Sequence, residues 1–232
     1  MRCTGAVRLH SVGSATIDSR LYRRRPDSVP PPCPVNAGVI PISSMITKLP
    51  SPLERQALSV FDDCAARLTD LIGESTMAIG EPGIRIASSG PTIDIAEGHF
   101  TLLVGPNALH NDSTLTANVA HETVHLHLSN GSFGDACGLE EGFATNFELE
   151  TVTRMHGAGE RQTHLDCLPR SYRSVLADFE HLSLITPNPI AVVRQTHSAV
   201  TGISQRILRT LFPGLGLFRA FRLARCRRMR AG

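Results

Sequence analysis

Ser113-Thr114-Leu115-Thr116-Ala117-Asn118-Val119-Ala120-His121-Glu122-Thr123-Val124-His125-Leu126-His127-Leu128 is the stretch from which the rest of the chain is read. It predicts a helix over 113–128, with Asp112 or Ser113 as cap and Asn130-Gly131 as stop. With His121 at zero on a helical wheel, Leu115, Val119 and Leu126 fall at about 120–160° and Ala117, Val124 and Leu128 at about 300–340°. The histidines are thus flanked by apolar residues and face a buried groove, where an unpaired imidazole pair would be costly. His121 and His125 lie one turn apart on one face, so both rings can grip one metal ion. Glu122 sits about 100° round, beside such an ion and not on it. From there it can take a proton from a water that the metal has acidified. With ten His and eleven Glu in the chain, H-E-x-x-H arises by chance roughly 0.02 times.

Upstream, Ile84-Arg85-Ile86 and Ile93-Asp94-Ile95 alternate, and Phe100-Thr101-Leu102-Leu103-Val104 is an apolar run before Gly105-Pro106. Two or three short strands are expected over 84–104. A helix over 51–72 precedes them, with Ser51 as cap, Pro52 in its first turn, Glu54 in the capping-box position and Gly73 as its end. Further helices are expected at about 138–155, 171–184 and 190–211. Strands early and helices afterward predict an α+β fold: a short mixed or antiparallel sheet, an active-site helix and a mainly helical C-terminal half.

The second motif is Leu139-Glu140-Glu141-Gly142-Phe143-Ala144-Thr145-Asn146-Phe147-Glu148. An H-E-x-x-H helix followed by a helix carrying E-G-F-A resembles the gluzincin branch of zinc metallopeptidases. Leu139 to Glu148 is similar to the third-ligand helix of the neutral aminopeptidases. The resemblance covers residues 119–148 and implies a zincin-like domain holding one Zn2+ ion. His121, His125 and Glu141 would be the ligands and Glu122 the general base. No G-x-M-E-N-like stretch for a substrate amine stands upstream.

Other residues compete for supporting roles. Glu140 is the rival of Glu141, and the Gly after Glu141 favours the latter by allowing close approach of the motif helix. His127 lies about 200° round from His125, with Thr116 and Thr123 on the polar face, and is expected not to bind metal. Asp135 and Asn146 are candidates to hold an imidazole in one tautomer. A peptidase also needs a donor for the developing oxyanion. Tyr172 is the only tyrosine downstream, and His164, His181 and His197 are alternatives among which the sequence does not choose. Cys137 and Cys167 are expected to be small buried side chains.

Charge is distributed unevenly along the chain. Residues 1–44 carry six Arg and two Asp, and residues 211–232 carry six Arg and no acid. The total is +2, so the part between holds −8. That acidic body hints at a basic substrate. The expected organisation is an Arg/Pro-rich disordered segment over 1–44, a metallopeptidase domain over 45–212 and a basic tail over 213–232. Met45 is a candidate start. The tail reads as a solvated end, with weak membrane-surface contact by residues 217–230 as the alternative. With no Trp and two Tyr, stacking surfaces for single-stranded nucleic acid are not expected. The chain has no signal-peptide pattern, no apolar run near 18 residues and six scattered cysteines, which predicts a cytoplasmic protein. The expected partner is a peptide or protein substrate hydrolysed by metal-activated water. The expectation from another class is a zincin-like protein with a structural metal, acting as a binding or adaptor module, through its basic tail.

Overall fold

The computed structural model describes residues 47–225 apart from 76–79, 81, 89, 97–98, 130–135 and 198. The segment 1–44, Asp135 and residues 226–232 of the tail lie outside the described residues. The architecture is α+β: among the described residues, four short strands form one mixed sheet and there are eight α-helices, most of them after the sheet.

Helix α1, Ser51–Ile72, begins where Pro50 and Pro52 fix the backbone φ and ends at Gly73. No side chain caps it; Pro50 is the capping residue and its carbonyl accepts from Glu54 N–H at 2.9 Å. Gly73 has φ 83°, a left-handed value that favours glycine. The apolar face of α1 carries Ala57, Val60, Phe61, Cys64 and Leu68, all buried, whereas Leu71 is 42% exposed.

The sheet runs β1-β2-β4-β3. β1 (Thr47–Lys48) pairs antiparallel with β2 (Gly83–Ile86), β2 parallel with β4 (His99–Val104), and β3 (Thr92–Ala96) antiparallel with β4. The apolar run 100–104 is therefore an interior strand with both edges taken. Leu102 and Val104 are fully buried, as a central strand requires.

Helix α2, Asp112–Leu128, crosses behind the sheet and packs against α1, β3, β4 and α3. Its cap is Asn111, one residue before the expected caps, whose side chain accepts from Thr114 N–H at 2.9 Å. The helix is buried almost all round: even Thr116, Thr123 and His127, the face read as polar, are covered. A helix enclosed on every side keeps its polar groups by pairing them. Thr116 meets His156 Nε2, and His127 Nε2 meets the Gly73 carbonyl at 2.8 Å.

Helix α3, Gly138–His156, packs on α2 and on α5, Arg170–Ile185. A short helix α4, Ala158–Cys167, follows α3 after Gly157. The single helix expected over 190–211 is two, α6 (Pro189–Thr196) and α7 (Gln205–Leu211). Gly202, at φ 82°, and Ser204, whose hydroxyl accepts from Ile207 N–H, divide them. The stretch read as a solvated tail is helical over α8, Leu217–Ala224, and packs on α3, α5 and α7. Ala220 and Leu223 are buried, and Arg222 makes a two-pronged contact with buried Asp178 at 2.5 and 2.6 Å. Among the described residues no helix is long and apolar enough to cross a membrane.

Candidate metal centre

The α2–α3 contact brings the two sequence motifs together. His121 and His125 project from α2 with ring centroids 4.9 Å apart. Glu141, in the first turn of α3, places its Oε2 at 3.4 Å from His121 Nε2 and 3.8 Å from His125 Nε2. A tetrahedral zinc with bonds of about 2.0–2.1 Å holds its ligand atoms about 3.3 Å apart. The spacing therefore suits a small cation, and these three residues form a group that could hold a metal ion.

The opposite ring nitrogens are also engaged. His121 Nδ1 lies 3.0 Å from Glu148 Oε2, and His125 Nδ1 lies 2.8 Å from Glu140 Oε1. A carboxylate at Nδ1 keeps the ring proton there and leaves the Nε2 lone pair for the metal side. Glu140 is itself fixed by the Thr201 hydroxyl, which donates to Oε2 at 2.5 Å. The adjacent glutamates thus divide the work: Glu141 faces the gap between the imidazoles, and Glu140 orients one of them.

Four carboxylates, those of Glu122, Glu140, Glu141 and Glu148, are buried around two imidazoles. Glu141 Oε2 has no hydrogen-bond partner. Its contact with His121 Nε2 is in ion-pair range without hydrogen-bond geometry. Such an excess of buried negative charge is costly unless a cation offsets it. Burial alone would lower the pKa of His121, yet Glu141 and Glu148 outweigh it and raise it well above the ordinary value. His125 is raised likewise, burial being overcome by Glu140 and then Glu141. Burial acts to raise Glu141, but His121 and His125 hold it below the usual carboxylate range. The cluster demands positive charge at one place, and an orphaned acceptor with two ring nitrogens aimed at it fits a metal ion.

Glu122 is buried beside this gap, outside the three-residue group. Its carboxyl is raised by burial, against the pull of His125 and His121. A carboxylate made more basic in this way is suited to accept a proton. Tyr172, from the first turn of α5, has its ring centroid 6.0 Å from that of His121. Burial, then Glu141, Glu122 and Glu148, raise its pKa, so its hydroxyl keeps its proton.

His164, on α4, reaches the site only indirectly, with Nδ1 4.0 Å from Glu148 Oε1 and Nε2 3.1 Å from Ser113 Oγ. No polar contact joins His181 or His197 to the group. Asn146 donates to Glu150 instead of holding an imidazole. Cys137 is buried and Cys167 is exposed. Sequence reasoning missed Glu148 and the orienting role of Glu140. Glu148 follows Glu141 by seven residues, two helical turns, and so shares its face, a signal within the quoted motif. Gly142 does permit a close approach, but to α5: a Cβ there would lie 2.8 Å from Val175 O and from Phe179 Cβ.

No family model, curated protein or solved structure matches the chain.

Proposed function

We propose that the protein is a small zinc-dependent peptide hydrolase. The observation that carries this reading is the convergence of His121 Nε2, His125 Nε2 and the orphaned Glu141 Oε2, with Glu122 buried alongside. Three protein ligands with N and O donors match a catalytic zinc, which leaves a position for water or substrate. Zinc, when bound, supplies Lewis acidity that lowers the pKa of water to about 7 and polarises a carbonyl. Glu122 accepts the proton of the attacking water and returns it to the leaving amine. The Tyr172 hydroxyl donates to the oxygen on which charge develops. Glu148 and Glu140 keep both imidazoles in the ligating tautomer.

An extended peptide would add to the sheet at β3. β4 (100–104) is interior, with both edges paired, so no peptide can add there, whereas β3 has one edge without a partner among the described residues. Metal analysis of the purified protein tests the reading. One zinc per chain is expected in wild type and none in His121→Ala or Glu141→Ala. Glu122→Gln should keep its zinc while kcat on a peptide library falls about 10²–10⁴-fold. Wild-type protein without stoichiometric metal, or Glu122→Gln with full activity, refutes the proposal.

A further inference from the structure

A cleft of about 40 Å³ opens beside the metal group, lined by Glu141, Gly138, Ser171, Ser174, Arg222 and Arg225. One water needs about 10–15 Å³, so the cleft has room for a group of a few atoms, such as a carboxylate, and not for a whole ligand. Its two arginines differ. Arg222 is committed to Asp178 through both Nε and Nη2. The Arg225 side chain is exposed, lies over the Phe221 ring and has no carboxylate partner among the described residues. Its backbone is held in place, because the Gly138 N–H donates to Arg225 O at 3.1 Å. A Cβ on Gly138 would lie 2.3 Å from Arg222 O, so α8 closes directly onto the start of α3. Glu141 is one turn along that helix. Ser171 and Ser174, in the first two turns of α5, line the cleft, and no hydrogen bond holds their hydroxyls among the described residues. Both helices also direct the positive ends of their dipoles at this corner.

We propose that this cleft is a subsite for a substrate carboxylate, with Arg225 as its charged partner and Ser171 and Ser174 as neutral donors. The inference rests on the peptidase reading in one respect. Glu141 alone would repel a second carboxylate, and a divalent cation on Glu141 reverses the local sign. The acidic body hinted at a basic substrate, but the charge next to the site has the opposite sense. The carboxylate could come from a peptide C-terminus or from an acidic side chain near the scissile bond.

Three N-acetylated peptides of matched sequence separate these cases: a free C-terminal acid, its amide, and an amide containing one glutamate. Each is titrated by calorimetry onto zinc-loaded, full-length Glu122→Gln protein, and hydrolysis by wild type is followed in parallel. The acid should bind about 10–100-fold more tightly than the amide, as expected for a hydrogen-bonded charge pair. Adding Arg225→Gln should reduce it to the amide level without changing zinc content or melting temperature. Arg225-dependent binding of the glutamate peptide would support the subsite and assign it to a side chain. Equal binding of all three, or no effect of Arg225→Gln, overturns the proposal even if peptides are cleaved. Arg225-dependent selectivity without hydrolysis of any peptide by wild type would sustain the subsite and defeat the peptidase reading.

Discussion

Glu140 and Glu141 are neighbours with different tasks, and the difference is geometric. Successive helical residues point about 100° apart, so only one can face the gap between two imidazoles. Glu141 does, while Glu140 and Glu148 reach the far sides of the rings. Glu140→Gln and Glu148→Gln should therefore retain metal binding but weaken it about 10–100-fold, the usual loss when an orienting partner is changed. Competition with a chelating dye would measure this, and unchanged affinity in both variants would remove the orienting role. Another residue-scale prediction concerns Cys64, fully buried on the apolar face of α1. Burial, then Asp63, pushes its thiol up to about 12 from 9.0. Below pH 9 the thiol is protonated whether the chain is folded or not, so it contributes no pH dependence. Between pH 9 and 12 the unfolded chain loses the proton and the folded one keeps it. Stability should then fall by about 1 kcal/mol per pH unit from this group. Urea titrations at pH 8, 9.5 and 10.5 should show a shallower alkaline decline in Cys64→Ala than in wild type, and parallel declines would contradict it.

At the scale of elements, legibility followed apolar pattern. α1, α2, α3 and α5 were readable to within a residue or so because each buries a regular set of side chains. Helix α4 has no buried residues, so it offers no periodicity to read. The division of α6 from α7 was signalled by Gly202 and Ser204, which the apolar spacing of 190–211 obscured. Strand existence was legible, but strand order was not, because nothing local in 100–104 states that β2 and β3 occupy both its edges. The role of α8 was hidden because what holds it, Asp178, lies 44 residues away from Arg222 in sequence. The same logic makes Gly142 a test of how elements place the site. An alanine there gains helix propensity of about 1 kcal/mol. Its Cβ meets Val175 O, a backbone atom that cannot yield without moving α5. Overpacking of this kind costs about 1–3 kcal/mol. Gly142→Ala should thus destabilise on balance and loosen metal binding, since Glu141 is adjacent. A higher urea midpoint in the variant would show that α3 and α5 have slack between them.

Across the whole molecule, the metal group joins elements that the sheet alone does not tie together. Its candidate ligands come from α2 and α3, its orienting carboxylates from the first turn and the middle of α3, and a nearby aromatic hydroxyl from α5. The candidate metal group was legible at the level of two short motifs; the electrostatic burden of four buried carboxylates became visible only once α3 was packed on α2. That burden would make a bound metal a structural partner as well as a chemical one. A cation that binds the folded chain alone stabilises it by RT ln(1 + [L]/Kd), about 4 kcal/mol at a thousandfold excess over Kd. For a body of this size each kcal/mol moves Tm by roughly 2–4 °C. Chelation with EDTA should therefore lower Tm by roughly 8–16 °C, and added zinc should restore it. His121→Ala and Glu141→Ala should melt at the same temperature with and without EDTA, because the site that carries the effect is gone. If wild type is equally indifferent to EDTA, the buried acids are balanced by protons on His121 and His125, and the group does not take up metal in the folded protein.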